Sequence, residues 1–219
     1  MKSLFEIYTD KKYLDGLPEG LARINSDKNT HHSYIKDVYE DYFAEYRNKE
    51  INLLEIGVST GVSLRLWREY FSKAKIYGID PFQNSEHKEI ATKLITNPLK
   101  DVTLIVEDAY CQESADSVPG MDLIVEDGPH TYKSQVDSIK YYLPKLNPGG
   151  YMFIEDIPLD FNHNLEGDDL CEHPFMKGLL NEISEGYEYK IFDMRRSKNI
   201  GTSVDRGDNI ILAIHNPEN

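Results

Sequence analysis

The chain is predicted to fold as a doubly wound α/β domain: a mostly parallel, seven-stranded sheet with helices on both faces and an antiparallel C-terminal hairpin. Three observations predict this. Leu53–Asp80 reads LLEIGVSTGVSLRLWREYFSKAKIYGID, a strand, a glycine loop, a helix, a second strand and a closing acid. Further short apolar runs, Val102–Val106, Met121–Val125 and Tyr151–Ile154, alternate with helical spacings, and strand–helix alternation calls for a parallel sheet. Tyr187–Met194 and Asn209–His215 alternate like an antiparallel pair joined by a polar loop.

Taken in order, residues 1–50 are rich in Tyr, Lys and Asp and carry little strand pattern. They are expected to form an N-terminal helical cap beside the main domain, residues 51–219. Leu4–Tyr8 can start a helix, Gly16, Pro18 and Gly20 mark a loop, and Ser33–Tyr46 has helical spacing (Tyr34, Val38, Tyr42 and Ile35, Tyr39, Phe43). Ser26–Tyr34, SDKNTHHSY, gathers polar and aromatic groups that could reach a ligand or simply cap that helix. Beyond Asp80, helices are expected near Glu86–Thr96, from Gln112, over Tyr132–Leu143 and over Phe175–Glu185. Asn147-Pro148-Gly149-Gly150 is a strong turn signal, and Pro158–His173 reads as an acidic, irregular lid.

A chain of 219 residues is long enough for one α/β domain with a modest appendage. Its net charge of −14 argues against a nucleic-acid partner, since there is no local basic stripe; the closest thing, Arg195, Arg196 and Lys198, is short and flanked by acids. The N-terminus lacks the apolar core of a signal peptide and no run approaches membrane-spanning length, so no membrane partner is expected. Cys111 and Cys171 show neither metal spacing nor a disulfide framework, and a cytoplasmic location is the default.

The loop after the first strand narrows the ligand. A dinucleotide fold needs G-x-G-x-x-G with pyrophosphate on the helix N-terminus. Here the spacing is Gly57-x-x-x-Gly61, with Ser59 in the middle glycine's place and Ser63 opening the helix. Glu55, just before the loop, would be a poor neighbour for pyrophosphate and would suit a cation. Asp80 is placed to accept hydrogen bonds from ribose hydroxyls. Asp108-Ala109, after the third strand, would lie against a base, with Asp108 taking an exocyclic amine or else only solvating the loop.

Ligands in such sheets bind beyond the carboxyl ends of the strands. Glu55, Asp80, Asp108, Asp127, His130, Glu155 and Asp156 all fall there. Clustered carboxylates repel and raise one another's pKa, and a divalent cation removes that cost. Asp127, Glu155 and Asp156 form an all-oxygen set that favours Mg²⁺, Mn²⁺ or Ca²⁺ over zinc. Capping of the following helix is the alternative role for Asp127. His130, three residues on, has a side chain whose ordinary pKa suits a general base, with Asp127 beside it. A helix-start histidine bonded to backbone is the alternative there.

E-x-G-x-x-x-G is similar to motif I of the class I S-adenosylmethionine methyltransferases, whose fold is Rossmann-like and whose cofactor carries an ammonium and a sulfonium. Together with DLIVEDGPH and LNPGGYMFIEDI, the stretch from Leu53 to Asp80 resembles the metal-dependent sugar O-methyltransferases of macrolide biosynthesis, of demethylmacrocin and mycinamicin type. It also resembles the related cephalosporin hydroxylase and rhamnosyl O-methyltransferase group, and the likeness reaches back into SDKNTHHSYIKDVYEDYF. The resemblance covers about residues 24–157. It implies S-adenosylmethionine bound around Glu55, Gly57, Ser59, Gly61, Ser63, Asp80, Asp108, Ala109 and Asp127. It also implies Mg²⁺ on Asp127, Glu155 and Asp156, and His130 as base. Two departures stand out: Glu126 replaces the usual first aspartate before the glycine, and Pro129 replaces the usual serine.

The expected activity is methylation of a hydroxyl on a sugar-containing small molecule. A metal-independent N-methyltransferase and a non-catalytic cofactor- or metal-binding module are the alternatives. An NAD-dependent oxidoreductase is disfavoured by the missing third glycine. Neither the acceptor nor the oligomeric state, a homo-oligomer included, is written in the sequence.

Overall fold

The structure, a computed structural model, describes residues 2–10, 14, 28, 32–96, 101–159, 167–197 and 207–218. Seven strands form one sheet: β1 (Asn52–Ile56), β2 (Lys75–Ile79), β3 (Val102–Ile105), β4 (Met121–Glu126), β5 (Leu146–Ile154), β6 (Glu188–Asp193) and β7 (Ile210–His215), in the order β3-β2-β1-β4-β5-β7-β6. The first five are mutually parallel, and β7 runs antiparallel to both β5 and β6. This is the mixed sheet with a C-terminal hairpin that the sequence predicts. The strand order reverses between β1 and β4, and that switch point is where such sheets open a ligand crevice.

The strands alternate side chains between two buried faces, as a period of two requires. Leu53, Leu123, Phe153 and Ile211 face one apolar cluster, and Leu54, Ile124, Met152 and Leu212 face the other. Over the first face lie α1 (Leu4–Asp10), a π-helical turn Ile35–Tyr39 leading into α2 (Glu40–Phe43), and α3 (Val62–Tyr70). Its centre is aromatic: Tyr39, Phe43, Trp67 and Phe153 meet edge-on or stacked with ring centroids between 4.6 and 5.7 Å. The described part of the N-terminal segment therefore shares one core with the sheet. Over the second face lie α5 (Gln112–Asp116), α6 (Tyr132–Tyr142) and α7 (Pro174–Asn181). The remaining helix, α4 (Ser85–Thr96), contributes Ala91 to the first face.

Two local departures have plain causes. The Asn147–Gly150 turn is absorbed into a nine-residue β5, with a register shift against β4 between Met121 and Leu123. The helix starting at Ser33 is shorter than its periodicity suggests, ending at Phe43 after the π-turn. The expected lid falls largely on residues outside those described; its end, Gly167–Glu172, is a 3-10 helix. Among the described residues no helix is long and apolar enough to cross a membrane.

Candidate active site

The carboxyl ends of β1, β4 and β5 stand level. Backbone bonds run from Asp127 to Ile56 (2.8 Å) and from Glu155 to Glu126 (3.0 Å), so Gly57, Asp127 and Glu155 follow one another across the rim. Gly57 has φ of +86°, and a Cβ there would sit 2.0 Å from the Asp127 carbonyl oxygen. The glycine is needed because the β1 and β4 loops pass against each other, not only because a ligand passes close. Gly61, also left-handed, forms the N-cap of α3. Ser59, His130 and Asp156 are non-glycine residues at positive φ. Such conformations cost energy and gather where function fixes them.

A cavity of about 380 Å³ opens beyond the ends of β1, β2 and β4, within the range of small-molecule sites. Among the residues expected at the cofactor, Gly57, Ser59, Asp80, Ala109 and Asp127 line it. Phe82, Asn84, His87 and Tyr110 line it as well and carried no sequence signal. Asp80 accepts from the backbone N–H of Val58 and Ser59 (both 2.9 Å) and of Phe82 (2.6 Å), which fixes the glycine loop against β2. A carboxylate has about four acceptor positions, so one remains for a hydroxyl.

Glu55, Gly61, Ser63 and Asp108 do not line the cavity. Strand alternation turns Glu55 inward to the Trp67 face, where it is fully buried and accepts from Ser63 Oγ at 2.7 Å. A lysine of the chain itself, Lys28, faces it at 3.6 Å, the cationic neighbour the sequence led one to expect from a ligand. Asp108 is exposed and accepts from Tyr110 N–H at 3.0 Å, closing its own turn.

Asp127 does not cap the next helix. Thr131 is that N-cap, in a reciprocal capping box with Ser134, so the Asp127 carboxylate is left for the site. Its Oδ1 meets His130 Nε2 at 3.1 Å and its Oδ2 accepts from Lys28 at 2.8 Å. Lys28 also donates to both oxygens of Glu155 at 2.8 Å, and Tyr39 donates to Glu155 Oε1. Asp156 accepts from Tyr34, faces His32 Nδ1 at 3.4 Å, and faces His130 Nδ1 at 3.5 Å. Lys28, His32, Tyr34 and Tyr39 all come from the N-terminal segment. His31 and His163 lie outside the described residues, and His173 caps α7.

The electrostatics follow from this packing. Burial would lower Lys28, but Asp127, Glu155 and Glu55 hold its ammonium well above the usual lysine pKa. Burial pushes Glu155 well up and Glu55 to about 7, with Lys28 opposing both. Burial also raises Glu126 to about 7; its Oε1 accepts from Tyr110 Oη (2.7 Å) and Gly128 N–H (3.3 Å). Asp127 is held below the carboxylate norm: burial works against this, but Lys28 and His130 outweigh it. Burial would lower His130, yet its bond to Asp127 and the nearby carboxylates raise it to about 9. Both of its nitrogens face carboxylate oxygens, an arrangement that suits the doubly protonated ring.

One oxygen each of Asp127 and Asp156 and one nitrogen of His130 lie within 4.8 Å of one another, a set that could hold a metal ion. Glu155 is adjacent but is turned to Lys28 and Tyr39. Four carboxylates, Glu55, Asp127, Glu155 and Asp156, thus meet two cations, Lys28 and His130. A hard divalent cation fits the carboxylate oxygens of this donor set.

Residues 54–157 match the family described as a methyltransferase domain. Among curated relatives, the 8-demethyl-8-alpha-L-rhamnosyl tetracenomycin-C 2'-O-methyltransferase of Streptomyces olivaceus is 27% identical over 196 residues, 86% of this chain and 50% of the relative. The demethylmacrocin O-methyltransferase of Streptomyces fradiae is 30% identical over 159 residues, 66% of this chain and 38% of the relative. The chain thus spans half or less of the length of these relatives. Among solved structures, the MycE methyltransferase of the mycinamycin pathway, in complex with Mg and SAH, superposes with a TM-score of 0.52 at 22% identity, covering 82% of this chain and 48% of that one. This last likeness speaks for the fold.

Proposed function

We propose that this chain is an S-adenosylmethionine- and Mg²⁺-dependent O-methyltransferase acting on a hydroxyl of a sugar or glycosylated small molecule. The observation that carries the reading is the convergence of Asp127, His130 and Asp156 beside a cavity walled by Gly57, Ser59, Asp80 and Ala109. Both relatives named above are O-methyltransferases, and the first is named for a rhamnosyl-bearing substrate, which points to the acceptor class.

Gly57, Ser59, Asp80, Ala109 and Asp127 would hold S-adenosylmethionine, with Tyr110 and Phe82 against the base and Asp80 on the ribose. Asp127 and Asp156 would hold the cation, joined by Glu155 once it leaves Lys28. When bound, the cation supplies a lowered pKa for the acceptor hydroxyl and the sulfonium supplies a good leaving group. His130 takes the hydroxyl proton. It can do so only after the carboxylates that keep it protonated are neutralised, which makes base and cation sites interdependent. Cavity and rim together hold donor and acceptor in line.

The test is methyl transfer from labelled S-adenosylmethionine to a rhamnosylated acceptor, with Mg²⁺ and in excess EDTA. Transfer should require Mg²⁺, and His130→Ala should lose turnover while still binding S-adenosylhomocysteine. Undiminished transfer in EDTA would point to the metal-independent alternative. His130→Ala at wild-type rate would remove the base.

A further inference from the structure

We propose that Lys28 is a built-in counter-cation that competes with the divalent metal for Asp127 and Glu155, so that metal binding here is an exchange of cations. This rests on the metal reading above and adds to it a residue and a mechanism of control.

The Lys28 ammonium is the hub of the carboxylate cluster. It lies 2.8 Å from Asp127 Oδ2, 2.8 Å from each oxygen of Glu155, and 3.6 Å from Glu55 Oε1. That Glu55 oxygen is buried, and the ammonium is the cation that faces it. Lys28 is 1% exposed, and a buried ammonium is tolerated only when such neighbours surround it. The Trp67 ring, 6.0 Å away, adds a weak cation–π contact.

A hard divalent cation seeks the same oxygens. Both oxygens of Glu155 are held by Lys28, and one of them also by Tyr39. Asp127 offers Oδ2 to Lys28 and Oδ1 to His130. A cation can therefore reach the Asp127, His130 and Asp156 group directly, but can recruit Glu155 only by moving the ammonium away. Lysine suits such a part. It is a point charge on a flexible stem, able to hold a cluster together without the fixed fork of arginine.

The experiment is titration of the full chain with Mn²⁺, followed by electron paramagnetic resonance, for wild type, Lys28→Met and Lys28→Arg, with thermal melts alongside. Lys28→Met should melt lower than wild type without metal and bind Mn²⁺ at least about tenfold tighter, since a buried competing charge is gone. Lys28→Arg keeps a competing charge and should not bind Mn²⁺ tighter than wild type. A folded Lys28→Met that binds Mn²⁺ no tighter than wild type overturns the exchange. Equal binding by all three sinks the exchange but leaves the metal reading; no binding by any sinks both. If Lys28→Met does not fold, amine acetylation of the wild-type chain read by mass spectrometry decides. Lys28 should be protected without metal and modified faster at saturating Mg²⁺, and unchanged protection overturns the proposal.

Discussion

Asp127→Asn should lower the pKa of His130 by about one to two units in the metal-free chain. His130 Nε2 lies 3.1 Å from Asp127 Oδ1, and its side chain is one-third exposed (33%), so the effective dielectric is high. Unit charges at that distance attract by about 1.3 kcal/mol at a dielectric of about 80 and about 2.7 kcal/mol at about 40. At 1.36 kcal/mol per pKa unit, removing the Asp127 charge shifts the midpoint from about 9 to between about 7 and 8. The sign follows from the charges: a lost anion disfavours the imidazolium, so the pKa falls. Lys28 keeps Glu155 and Glu55 as partners, so the variant should still fold. The assay is NMR titration of the imidazole protons in EDTA, with His130 assigned from a His130→Gln spectrum. Stability gives an independent readout. A histidine raised in the folded state adds stability that is full below about 6.5 and is lost as pH rises through about 9. The deficit of Asp127→Asn against wild type should therefore shrink across that window. A His130 midpoint near 6.5 in wild type, or one unmoved by Asp127→Asn, would mean that Asp127 does not hold the imidazolium.

Gly57→Ala places a methyl 2.0 Å from the Asp127 carbonyl oxygen at a φ of +86°. The backbone conformation alone costs about 1–2 kcal/mol, so the melting temperature should fall by several degrees, and calorimetry should show weakened S-adenosylhomocysteine binding; a neutral result would mean the loops do not abut. Tyr39→Phe removes a buried donor to Glu155 and should cost about 1–3 kcal/mol in urea unfolding, with the m-value unchanged.

Most of the fold was legible because its signals are local. The ends of β1, β2 and β4, and the hairpin of β6 and β7, follow from apolar runs and turn residues. The strand that absorbs Asn147–Gly150 was not legible, since its pairing with β4 overrides a strong turn signal. The site was half legible. Loop spacing brought Gly57, Ser59, Asp80 and Ala109 to the cavity, and the Asp127–His130 spacing brought those two together. Glu55 shows where spacing runs out: its position is right for a ligand, but strand alternation aims it at Trp67. Lys28, His32, Tyr34 and Tyr39 could not be read as site residues. They reach Asp127, Glu155 and Asp156 across about a hundred residues or more of chain, and such contacts leave no local pattern. The Thr131–Ser134 capping box was readable, and it would have removed helix capping as a rival role for Asp127.

The most direct test is a crystal structure of the chain soaked with S-adenosylhomocysteine and Mn²⁺, with the metal located by anomalous scattering. The nucleoside is expected in the cavity between Gly57, Asp80 and Ala109, with a manganese peak bounded by Asp127 and Asp156. A peak remote from both aspartates, or a nucleoside bound elsewhere, would contradict the proposed function.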